Sequence, residues 1–156
     1  MKKSTTLAAS LFAGTALLAG GCAMFGPQGE DKVHAEALTA SIDGYADWPA
    51  PSGFEGWQES FEHDTPVVQY HLNAVAAADS EGLPNGSIIV KSGYSKGHSF
   101  RMNTIMQKID GYDPEHGDWY WAMANESGSI SQGGQMGACI RCHSSADGDD
   151  YTFIND

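Results

Sequence analysis

Four stretches of the chain gather apolar residues into short runs between polar ones: TPVVQYHLN at 65–73, GSIIVKSGY at 86–94, FRMNTIMQKID at 100–110 and DWYWAMAN at 118–125. Each is rich in β-branched or aromatic residues and is bounded by Gly, Pro, Asn or Asp, so each predicts a β-strand. DKVHAEALTASI has helical spacing instead: Val33, Ala37, Leu38 and Ile42 fall on one side and predict a short helix. AVAAADSEG, between the first two strand runs, predicts another, and DGYADWPAPSGFEGW reads as an ordered loop. Strand runs separated by turns, with helices near the ends, predict a mainly β (α+β) fold: an antiparallel sheet with a few short helices. In the last run Trp119, Trp121 and Met123 share a face and form an expected aromatic wall.

The first segment has a different pattern. MKKSTTLAASLFAGTALLAGGC places Lys2 and Lys3 before an apolar run from Leu7 to Leu18 and ends in small residues, the anatomy of an export signal over residues 1–21. The apolar run falls short of the roughly 20 residues a bilayer span needs. The residues before Cys22 resemble a bacterial lipoprotein signal, although Ala19 stands where leucine is most usual. That resemblance makes Cys22 the lipidated first mature residue of a periplasmic, membrane-anchored protein. AMFGPQGED has no apolar periodicity, so residues 22–31 are expected to be a tether and residues 32–156 one domain.

Charge narrows the partners. The full chain carries 20 acidic against 8 basic residues, a net −12, and loss of Lys2 and Lys3 with the signal leaves 6 basic residues and −14. Nucleic acid and anionic membrane surfaces are poor partners for such a chain, so membrane contact is expected only through the lipid. A basic electron carrier would be steered towards it.

Near the C-terminus stands GACIRCHSS, with Cys139, Cys142 and His143 in Cys-x-x-Cys-His spacing. This spacing suits a c-type haem, a redox thiol pair, half of a zinc site or a short disulfide loop. Export disfavours free thiols. Zinc lacks a second Cys or His pair, because His34, His63, His71, His98 and His116 are scattered singly. A thioredoxin-like pair belongs early in a βαβ unit, not late in a strand-rich chain. Haem c is therefore the expected cofactor, one per chain, with the two thiols adding to its vinyl groups and His143 as the proximal iron ligand. Met102, Met106, Met123, Met136 or a scattered histidine are the candidates for a sixth ligand.

With this motif at the end of a β-rich domain, the chain resembles the cytochrome P-460 family, which includes the cytochrome c′-beta proteins. The resemblance runs from about Tyr45 to Phe153, through YHLN (70–73), LPNGSIIVK (83–91), MQKIDGYDPEHGDWYW (106–121), CIRCH (139–143) and DYTF (150–153). It implies an antiparallel sheet carrying a five-coordinate haem whose open side binds small nitrogen oxides or other diatomic ligands, often in a homodimer. Lys91 matches the lysine that cytochromes P-460 bond to a porphyrin meso carbon, a reaction that needs a neutral amine. Two positions depart from the family. GSISQGGQMGAC contains no carboxylate for proton transfer, only Gln132 and Gln135, and TPVVQYHLN lacks an arginine, leaving Arg101 as the nearest substitute. The resemblance implies an oxidoreductase acting on hydroxylamine or nitric oxide. A non-catalytic binder of nitric oxide or carbon monoxide and an electron-transfer cytochrome are the alternatives.

Overall fold

In a computed structural model, which describes residues 26–78, 82–148 and 150–154, all four predicted strands form. They are β2 (Val67–Leu72), β3 (Ile88–Tyr94), β4 (Phe100–Lys108) and β5 (Trp119–Ala124), flanked by β1 (Gln58–Glu59) and β6 (Ile130–Gly134). The six make one antiparallel sheet in the order β1-β2-β3-β4-β5-β6, a meander in which every strand pairs with its chain neighbours. Among the described residues three α-helices accompany it: α1 (Gly29–Ser41), α2 (Ala74–Ala78) and α3 (Gly137–His143). The protein is thus mainly β, an antiparallel sheet with a few short helices. Strands β1 and β6 escape the sequence pattern because one is two residues long and the other, ISQGG, is poor in strand-forming side chains. The expected export signal and Cys22 lie outside the described residues.

Apolar side chains occupy both faces of the sheet. On one, Ile88, Val90, Ile105, Tyr120, Ala122 and Ala124 pack with Ala35, Leu38 and Ile42 from α1 and its C-cap. The expected helix stripe is corrected here: Val33 is 63% exposed and Ala37 also faces solvent. Asp31 sets the rotation. Its carboxylate accepts from the Tyr112 hydroxyl at 2.5 Å and its backbone carbonyl from Tyr120 at 2.9 Å, which turns Asp31, Ala35, Leu38 and Ile42 to the sheet. Burial, with Asp31 nearby, pushes the Tyr120 phenol up to about 12. Residues 29–31, expected in the tether, belong to the helix, whose first turn gains from the negative charges of Glu30 and Asp31.

Buried polar groups on this face are paired. Ser92 donates to Asn103 Oδ1 at 2.8 Å, and Asn103 Nδ2 donates to Tyr45 Oη at 2.9 Å, which ties the loop after α1 to the sheet. His71 is 8% exposed, and burial holds its imidazole below 6.5 despite a hydrogen bond with the Trp48 backbone.

Two predictions follow from this packing. A Cβ at Gly133 would overlap the fully buried Tyr120 hydroxyl, so Gly133→Ala should destabilise by about 1–3 kcal/mol in urea titrations. A lowered histidine pKa contributes stability that is present above the unfolded value of 6.5 and lost as pH falls. The urea midpoint should therefore drop on acidification below 6.5, and His71→Gln should flatten part of that slope.

Candidate functional site

Strand register builds the second face as cross-strand rows. Tyr70, Lys91, Thr104 and Met123 are successive partners in one row, and Leu72, Ile89, Met106 and Trp121 in the next. Trp119 stands on the same face, so the expected aromatic wall of Trp119, Trp121 and Met123 is present. Helix α3 lies over this face with Cys139 and Ile140 against the Leu72, Met106 and Trp121 cluster. Positions 139, 142 and 143 are spaced i, i+3 and i+4, which brings all three side chains to one side of the helix.

Between α3, the sheet and residues 152–154 is a cleft of about 120 Å³, open to solvent on one side. Cys139, Cys142, His143 and Lys91 all line it, together with Ile89, Met106, Met123, Trp121 and Phe153. Lys91 is therefore turned into the cleft and not to open solvent; its Nζ is 5.7 Å from the Tyr70 ring centroid. Burial lowers the Lys91 pKa, which Glu62 partly opposes.

The C-terminal segment holds His143. Asp150 fixes that segment: its side chain pairs with Lys108 and accepts from the Leu83 amide at 3.1 Å, and its carbonyl accepts from Trp119 Nε1 at 3.0 Å. Next to it, Tyr151 adopts φ +56° and its carbonyl lies 2.8 Å from His143 Nδ1. A carbonyl only accepts, so Nδ1 carries the proton and Nε2 keeps its lone pair for a ligand. The ring is flanked by Trp121 at 4.7 Å and Phe153 at 5.3 Å between centroids. Burial lowers the His143 pKa and keeps the imidazole neutral, the form that binds metals.

The thiols bear on the alternatives. Cys139 and Cys142 are not disulfide-bonded, and burial pushes the Cys139 thiol up, away from the thiolate a redox pair uses. Among the described residues no group of three or more Cys, His, Asp or Glu is arranged for a metal ion. The donor set, two thiols and one imidazole with a free Nε2 beside an apolar wall, fits the chemistry of a c-type haem.

Several candidates lie elsewhere. His34 packs on Tyr112 and Tyr120, His71 on Tyr45, His98 stacks on Trp57 and His116 meets Asp113. Arg101 pairs with exposed Asp64 at 3.1 Å and does not line the cleft, so it does not replace the family's arginine. Gln132 is exposed, and Gln135 donates to the Tyr112 carbonyl, so neither enters the cleft. Of the methionines, Met106 and Met123 line it. His63, one of the scattered histidines considered as a sixth ligand, and Glu62, which had no sequence signal, complete the lining from the loop between β1 and β2. Glu62 is the only carboxylate among the described lining residues. His63 and Asp64 both have positive φ, which bends this loop sharply.

No protein-family model matches the chain, and no curated protein sequence matches it. The likeness to cytochrome P-460 stands on the motifs quoted above. YHLN and DYTF supply Tyr70, Thr152 and Phe153 to the cleft lining, beside Lys91 and CIRCH.

Glu62 raises the Lys91 pKa, so its removal should leave more neutral amine at a given pH. In protein whose Lys91 amine is free, Glu62→Gln should speed acylation of Lys91 roughly twofold to fivefold, the size an exposed charge pair supports. Peptide mapping after timed labelling reads the rate, and slower labelling would contradict the assigned electrostatics.

Proposed function

We propose that this is an exported mono-haem protein of the cytochrome P-460 type that oxidises hydroxylamine or nitric oxide. One observation carries the reading: a single apolar cleft brings the amine of Lys91 together with Cys139, Cys142 and His143. Haem c, when bound, supplies the redox chemistry and an open coordination position. Cys139 and Cys142 would hold it through thioether bonds, and His143 Nε2, with the ring oriented by the Tyr151 carbonyl, would bind its iron. Lys91, whose pKa burial lowers, would stand beside the haem as the residue that the resemblance matches to the crosslinking lysine. The apolar sheet face excludes water, and Glu62 at the mouth can pass protons released by substrate oxidation to solvent. Lipidation at Cys22 would hold the protein at a periplasmic membrane, where its acidic surface receives a basic electron carrier; homodimerisation belongs to the same proposal.

A second reading is capture of nitric oxide or carbon monoxide without turnover. The row of Ile89, Met106 and Trp121 supports it, because an uncharged diatomic ligand needs only an apolar pocket.

Holoprotein from a haem-attaching export host distinguishes the two. Oxidation predicts a strongly red-shifted ferrous Soret band, a Lys91 peptide that stays with the haem after digestion, and hydroxylamine-dependent reduction of an acceptor. Lys91→Ala should abolish all three. A haem-free Lys91 peptide from protein with no turnover would overturn oxidation and leave capture.

A further inference from the structure

Aromatic side chains lead from the cleft to the opposite face of the sheet. Trp121 lines the cleft, its ring centroid 4.7 Å from that of His143. Tyr120, its neighbour on β5, points to the other face, where its ring centroid lies 5.5 Å from that of Tyr112. Tyr112 is half-buried and lines a second hollow, at the surface, with Asp31 and His34. Packed rings alone describe an ordinary core. What separates these three is the partner of each polar atom. Trp121 Nε1 is buried without a hydrogen-bond partner. Tyr120 Oη donates to a backbone carbonyl, that of Asp31, at 2.9 Å. Tyr112 Oη donates to the Asp31 carboxylate, at Oδ1, at 2.5 Å.

An aromatic ring that loses an electron becomes a strong acid, and the electron vacancy settles on it only where a base takes the proton. Trp121 has no acceptor and Tyr120 has a weak one, so a vacancy on either is refilled from the next ring. Tyr112 alone of the three meets a carboxylate, a base that can take the proton without moving. Burial and the hydrogen bond to Asp31 raise the Tyr112 pKa, so the phenol keeps its proton until it is oxidised.

We propose that Trp121, Tyr120 and Tyr112 form an electron relay that returns an electron to the haem after oxidation by hydrogen peroxide, ending in a tyrosyl radical on Tyr112. This rests on the haem reading above. Hydrogen peroxide takes two electrons from the haem and two protons from solvent and leaves as two waters. Tyr112 restores one of those electrons by way of Tyr120 and Trp121, and its hydroxyl proton passes to Asp31 Oδ1. The O–H bond of Tyr112 breaks, and a neutral phenoxyl and a carboxylic acid remain. The other electron is supplied by an external reductant. Phenols and indoles yield electrons only to strong oxidants, so the relay is idle during oxidation of hydroxylamine or nitric oxide. The vacancy comes to rest across the sheet from Lys91 and the haem-bearing cysteines, away from the groups it would damage.

Electron paramagnetic resonance of holoprotein frozen after mixing with hydrogen peroxide tests this. The wild type should give a radical signal that narrows when its tyrosines carry deuterium on the ring. Tyr112→Phe should lose the signal, with haem-to-chain ratio and Soret maximum unchanged. Asp31→Asn keeps the backbone carbonyl that Tyr120 uses and removes the base, so the yield should fall several-fold. Trp121→Phe should slow the signal's appearance. A tyrosyl signal that persists in Tyr112→Phe and vanishes in Tyr70→Phe would place the radical in the cleft and overturn the relay. Haem-loaded protein with no tyrosyl signal would overturn it too. Wild-type protein with no haem on Cys139 and Cys142 would overturn the haem reading and this proposal together, and intact mass separates that failure from the others. Should Asp31→Asn or Trp121→Phe not fold, persistence of the signal in Tyr112→Phe is enough to reject the relay.

Discussion

The fold depends on one constraint: its antiparallel sheet is apolar on both faces, and the described residues cover the two unequally. Helix α1, with thirteen residues, seals the first face through Leu38 and Ile42. Among the described residues the second face has the five residues of α2, the seven of α3 and the segment after it. Apolar surface left open to water is unfavourable by about 25 cal/mol per Å², so an incompletely covered sheet face is a place prepared for a guest.

Register then decides what the guest meets. Because successive strand residues point to opposite faces, Lys91 enters the cleft while Val90 and Ser92 enter the core beneath α1. A shift of one residue would reverse this arrangement and bury Lys91 under the helix. The environment that results favours neutral groups throughout. Burial lowers the Lys91 and His143 pKa values and raises that of Cys139, so each group is shifted towards its uncharged form. Neutral amine and imidazole are the nucleophilic and metal-binding forms of those groups. The raised thiol, by contrast, suits a residue that becomes covalently capped better than one that cycles through a thiolate.

Much of this was legible in the chain, for identifiable reasons. Strands β2 to β5 declare themselves because they concentrate Val, Ile, Tyr and Trp between turn residues, and the Cys139, Cys142 and His143 spacing is local and survives any fold. The active stripe of α1 was not legible, because Val33 and Ala37 match helical periodicity as well as Ala35 does; a hydrogen bond from distant Tyr120 makes the choice. Glu62 and His63 lie in a loop, where no periodicity says what they face. Arg101 looked close to the site along the sequence, yet its partner is Asp64 at the surface. The unpaired indole of Trp121 is visible only in three dimensions, since its sequence neighbour Trp119 is satisfied.

The central claim is that Cys139 and Cys142 hold a haem over the uncovered sheet face. Intact mass of the denatured protein after export from a haem-attaching host tests it most directly. The account predicts a chain heavier by one haem that resists acid and organic extraction, with both thiols blocked to alkylation. A chain of unmodified mass, or one short of two hydrogens from a Cys139–Cys142 disulfide, would contradict it.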